Sequence, residues 1–71
     1  MKWRAIPASE LGSSNARMVR VTRDDDAIEV VGALRSTIHA KPCVVVRGVN
    51  GDKEIEEHSL GLDHTVWIRD P

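Results

Sequence analysis

The residues of this chain that could do chemistry are few and scattered. Cys43 heads an apolar run, CVVVRGV at 43–49, and His39, His58 and His64 lie to either side of it. A cysteine beside an imidazole can ionise and act as a nucleophile. If Asn50–Gly51 makes a two-residue hairpin, Cys43 and His58 become cross-strand neighbours, as a thiolate–imidazole pair requires. No third group is placed to orient the imidazole, so Cys43 reads as a small buried residue at a strand start, and no catalytic residue is assigned. Cys43, His58, Asp63 and His64 match no zinc-ligand spacing. Asp24, Asp25 and Asp26 are consecutive, which suits the free N–H groups and positive dipole end of a helix start and does not converge on a cation. GVNGD at 48–52 lacks the strand–loop–helix setting and the Lys-Ser/Thr ending of a phosphate loop. No metal, no cofactor and no enzymatic activity is expected.

The remaining chemically distinctive stretch is HTVWIRDP at 64–71. In a strand, Val66 and Ile68 share one face, and Trp67 shares the other with Thr65 and Arg69. Trp and Arg are the side chains most enriched at the energetic centres of protein interfaces. The same pair can stack on a base and hold a phosphate.

The elements that would position these residues follow from pattern. KWRAI (2–6) reads as a short strand, and residues 7–16, rich in Pro, Gly, Ser and Asn, as a flexible loop with one helical turn after Ser9. RMVRVTR (17–23) alternates, with Val19 and Val21 on one face and Met18, Arg20 and Thr22 on the other. Residues 24–40 read as a helix: Ile28, Val31, Leu34, Arg35 and Ile38 follow helical spacing, Asp26 and Glu29 have capping-box spacing, and Pro42 lies just past the end. CVVVRGV is a β-branched strand, Asn50–Gly51 a type I′ turn, 52–60 the return strand, and 64–70 the last strand. The expected fold class is α+β: (β)βαβββ, a mainly antiparallel sheet of four to five strands with one helix, about 24–40, on one face. A right-handed crossover would set 17–23 parallel to 43–49.

Register then arranges the faces. A two-residue turn at 50–51 sets Val46 opposite Ile55 and Arg47 opposite Glu54; a four-residue turn at 60–63 sets Glu56 opposite Trp67 and Glu54 opposite Arg69. Val44, Val46, Ile55, Val66 and Ile68 form the core face. The open face gathers the expected partner-binding residues: Trp67, Arg69, Arg47, Arg20, Val45 and Met18. Glu54 and Glu56 among the arginines would repel phosphate, which ranks RNA or single-stranded DNA below a protein as partner. The competing structural reading is that Trp3, Ile6, Pro7 and Leu11 fold across the sheet and cover Trp67.

The 71 residues suffice for one small domain, 1–71. Burying about 60% of the surface yields roughly 100 kcal/mol of transfer energy, against a similar cost of roughly 100 kcal/mol for ordering the chain. Such a domain gains from self-association, so a homodimer is expected. The single cysteine excludes an intrachain disulfide and favours a reducing, cytoplasmic setting. No charged-then-apolar pattern and no long apolar run appears in the sequence, so neither secretion nor membrane spanning is expected. Its net charge is −1, but unevenly placed: residues 1–23 carry five cations against Glu10, and residues 50–71 six acids against Lys53 and Arg69. The combined expectation is a small intracellular module that covers a partner protein's surface, as inhibitors and adaptors do. Accessory proteins of microbes and their viruses are often of this kind.

Overall fold

The stretch expected to be a helix is a strand. The computed structural model of the chain describes residues 3–13, 18–24 and 26–69, and contains no α-helix among them. The elements are β1 (Arg4–Pro7), a 3-10 helix (Ala8–Ser13), β2 (Met18–Arg20), β3 (Ile28–Ile38), β4 (Lys41–Val49), β5 (Ile55–Gly61) and β6 (Thr65–Arg69). They form one six-stranded sheet, β1-β6-β2-β3-β4-β5, with every neighbouring pair antiparallel. An all-β fold therefore replaces the expected α+β one. With no helix there is no crossover: β2 and β4 do run in the same direction within one sheet, as expected, but β3 lies between them and is antiparallel to both. Lys2 of the expected first strand, residues 14–16 of the expected loop, Arg17, Asp25 and Asp70 lie outside the described residues.

The helical spacing of 28–38 comes from a β-bulge. Glu29 pairs with Val49 and Val30 with Gly48, but the next pair is Gly32 with Arg47, so Val31 is an extra residue. The extra residue reverses the in–out alternation. Before it Ile28 points inward; after it Ala33 and Arg35 lie opposite Val46 and Val44, and Leu34 lies opposite Val45 on the outer face. The stripe that suggested a buried helix face is split, with Ile28 at 2% exposure and Val31 and Leu34 at 71% and 73%. Strand also suits the composition: Ile28, Val30, Val31, Thr37 and Ile38 are β-branched, and Gly32 would cost a helix interior about 1 kcal/mol.

The turns correct the register. His39 and Ala40, at φ 51° and 61°, join Ile38 to Lys41 in a two-residue hairpin of type I′ character. Asn50 and Gly51 are not in the left-handed region, so they cannot make the type I′ turn expected there; Lys53, at φ 62°, is. Lys53 N donates to Asn50 O at 3.0 Å, Asn50 N donates to Glu54 O at 2.9 Å, and the Asn50 side-chain oxygen accepts from Asp52 N and Glu54 N. The loop is therefore Gly51, Asp52 and Lys53, and Val49 pairs with Ile55 rather than Asp52. That three-residue shift is odd, so it turns β5 over. Ile55, expected in the core, is 66% exposed, and Leu60 takes an inward place opposite Val44.

β5 and β6 do not pair, contrary to expectation. The turn between them is tight, with His64 N donating to Gly61 O, but its carbonyls are taken by the 3-10 helix: Ala8 N donates to His64 O at 2.8 Å and Ser9 N to Leu62 O at 3.0 Å. β6 thus leaves β5 and inserts between β1 and β2. A single sheet with one apolar face and no second layer must curl round its own core. All six strands and the 3-10 helix contribute to that core: Ile6, Ala8, Leu11, Val19, Ile28, Val44, Val46, Leu60, Val66 and Ile68. No helix among the described residues is long and apolar enough to cross a membrane.

Candidate functional site

Curling leaves an outer face in two wings, and the six expected partner-binding residues divide between them. The first wing is β1–β6–β2. Val66 and Ile68 are fully buried, and Trp67 points the other way, as the alternation of 64–70 requires. It is half-buried between Ala5 of β1 and Arg20 of β2. Met18 lies opposite Arg69 on one side and Glu29 on the other. The expected rows Glu56–Trp67 and Glu54–Arg69 do not form, because β5 and β6 are not neighbours. The guanidiniums of Arg20 and Arg69 instead lie 4.5 and 5.4 Å from the ring centre of Trp3. The N-terminal segment adds β1 beside β6 and sends Ile6 and Leu11 into the inner core; its Trp3 meets the arginines of this wing.

The second wing is β3–β4–β5. Val31, Gly32, Leu34 and Val45 line a shallow groove of about 480 Å³ with Arg47 and Glu57 on its rim. Arg47 pairs with Glu57, Nε to Oε2 3.4 Å, and not with the expected Glu54; both side chains are more than half exposed, so the pair contributes at most about 1 kcal/mol. Val45 and Trp67 are separated by three strand spacings, about 14 Å along the sheet at ~4.8 Å each. They belong to different surfaces.

A polar cluster closes one end of the curled sheet. The flipped register turns Glu56 and His58 to the inner side with Leu60, near Val21, Asp26 and Ile28. His58 Nε2 donates to Glu56 Oε1 at 2.9 Å, and Asn50 Nδ2 donates to Glu56 Oε2 at 2.7 Å. The amide bond first, and the imidazole second, hold the Glu56 carboxyl below its usual range. His64 Nε2 donates to Val21 O at 2.9 Å and ties the β5–β6 turn to the chain after β2. Cys43 is not across from His58: it faces Gly61 and Ser36, with Val46 opposite His58. Thiol and imidazole lie on opposite faces of the sheet, so the thiolate–imidazole pair does not form. Among the described residues, no three His, Cys, Asp or Glu side chains are placed to hold a metal ion.

Val31, Leu34, Ile55 and Trp3 are the surface residues that pattern reading missed. Their signals were present. The apolar residues at 28–38 include too many β-branched types for a helix, and a strand carrying them with a bulge must turn some of them outward. Comparison of the chain with protein-family models, curated proteins and solved structures finds no match.

Proposed function

We propose that this chain is a small, non-enzymatic protein-binding module of the cytoplasm, an inhibitor or adaptor that works by covering a partner protein's surface. The contact is made by the β3–β4–β5 wing, with Val45 and Arg47 retained from the expected surface and Val31, Leu34 and Ile55 added. One observation carries the reading: Val31, Leu34 and Ile55 are 66–73% exposed in a chain that has little apolar surface to spare, and Val31 and Leu34 share one groove with Val45. Clustered exposed aliphatics rimmed by charge are the usual mark of an interaction surface. Self-association through this wing would answer the thin stability of so small a domain.

The test compares the wild-type chain with the double variant Leu34→Asp, Ile55→Lys. Both positions are exposed, so at dilutions where wild type is monomeric the variant's stability should stay within about 0.5 kcal/mol of wild type, the two separating only where wild type associates. Wild type should form dimers in sedimentation experiments, or retain discrete proteins when immobilised, and the variant should do neither. A wild type that is monomeric at every concentration and retains nothing the variant fails to retain defeats the proposal.

A further inference from the structure

We propose that Arg20 and Arg69, backed by Trp3, bind a phosphate-type oxyanion on the outer face of β1–β6–β2. Arg20 lies opposite Trp67 and Arg69 opposite Met18, so the two arginines are diagonal neighbours on adjacent strands and project from the same face. Both guanidiniums approach the indole of Trp3, at 4.5 and 5.4 Å from its centre, within the range of cation–π attraction. A guanidinium held over a ring keeps its in-plane N–H edge available, and that edge matches two oxygens of a phosphate.

Two like charges gathered on one ring call for a counter-charge, and among the described residues no carboxylate is within ion-pair distance of either. Glu29, outward on the far side of Met18, pairs with neither arginine. Glu56, expected beside Trp67, is held by Asn50 and His58 at the end of the sheet. Because β5 and β6 are not neighbours, neither Glu54 nor Glu56 stands beside Trp67 and Arg69 to repel phosphate. Among the described residues the buried Arg20 Nε finds no hydrogen-bond partner, whereas buried donors in native proteins nearly always have one. Beside it, Trp67 offers a half-buried aromatic surface on which a base can stack. Free phosphate and the backbone of a single nucleic-acid strand present the same chemistry to this pair.

The experiment follows the arginine Nε–H and tryptophan indole N–H resonances of the full chain while inorganic phosphate, or an oligodeoxythymidine, is added at 50 mM salt. Saturable shifts at Arg20, Arg69 and Trp3 support the site. Phosphate alone saturating it assigns a small anion. An oligonucleotide binding at least tenfold tighter than phosphate, with the Trp67 indole also shifted, assigns a single strand; if two phosphates are held, that affinity should fall about sevenfold between 50 and 200 mM salt. Arg69→Gln should weaken binding at least tenfold, with Arg69→Lys, which keeps the charge but loses the fork, in between. Absence of saturation by either probe overturns the proposal, as do shifts confined to Arg35 and Arg47 or wild-type affinity in a folded Arg69→Gln. The Leu34→Asp, Ile55→Lys variant should bind phosphate as wild type does, so this site and the β3–β4–β5 contact stand or fall separately.

Discussion

Gly48 is the position where one added methyl group should do most damage. It lies on the inner side of β4, paired with Val30 on β3 and Glu56 on β5. A Cβ built there would sit 2.7 Å from the backbone oxygen of Glu29 and 2.9 and 3.0 Å from Cδ1 and Cγ1 of Ile28. Ordinary contact begins near 3.4 Å, so the closest approach is about 0.7 Å short. The Glu29 oxygen belongs to the strand backbone, and Ile28 is 2% exposed in a packed core, so neither can move aside cheaply. Overpacking of this kind costs about 1–3 kcal/mol. Stiffening the unfolded chain by Gly→Ala returns about 0.4–1 kcal/mol. The net expectation for Gly48→Ala is a loss of about 1–2 kcal/mol, which in a domain of this size lowers Tm by roughly 5–15 °C. Gly32, at the bulge one strand away, is the control: a Cβ there meets nothing within 4 Å, so Gly32→Ala should be neutral or slightly stabilising. Urea titrations read by tryptophan fluorescence, with thermal melts, measure both. If Gly48→Ala proves as stable as Gly32→Ala, the close packing of β3 on β4 at this point, and the register that places it, are wrong.

Two further predictions concern the turns. Ala40, at φ 61° in the β3–β4 hairpin, bears a left-handed conformation that glycine adopts without penalty, so Ala40→Gly should raise stability by about 1 kcal/mol in the same titrations despite glycine's greater freedom when unfolded. Glu56 is held below its usual pKa by the Asn50 amide and then by His58. Its contribution to stability is therefore present above the unfolded carboxyl value and is lost as pH falls through the lowered folded one. Wild type should lose stability more steeply on acidification than Glu56→Gln, and carboxyl NMR titration should show Glu56 returning upward in Asn50→Ala; equal acid profiles would refute the role given to this carboxylate.

Much of the strand content was legible in local pattern. Alternation in 64–70 put Val66 and Ile68 inside and Trp67 outside, and the β-branched run at 43–49 is strand β4, next to the sheet edge formed by β5 and extended by Lys41 and Pro42. The short N-terminal strand and a helical turn after it also appear, as β1 and the 3-10 helix. The candidate surface was only half legible. All six residues named for it are surface-facing by register, but they belong to two wings, because which strands become neighbours is not a local property.

Composition and period thus determined that the chain is strand-rich, that its sheet has one apolar face and one mixed, charge-bearing face, and that its one cysteine makes no intrachain disulfide. Three features were decided only by tertiary structure. The bulge at Val31 mimics a helical repeat, since one extra residue in a period-two pattern produces spacings of three. The Asn50 side chain selects a three-residue loop over a two-residue one by accepting from two backbone N–H groups, and an odd shift exchanges the faces of β5. The 3-10 helix takes the carbonyls of Leu62 and His64, which sends β6 to the far side of the sheet and parts Trp67 from Val45. In the first case one extra residue inside the strand resets its register, and in the other two a hydrogen bond made outside the strand does; simple alternation contains neither.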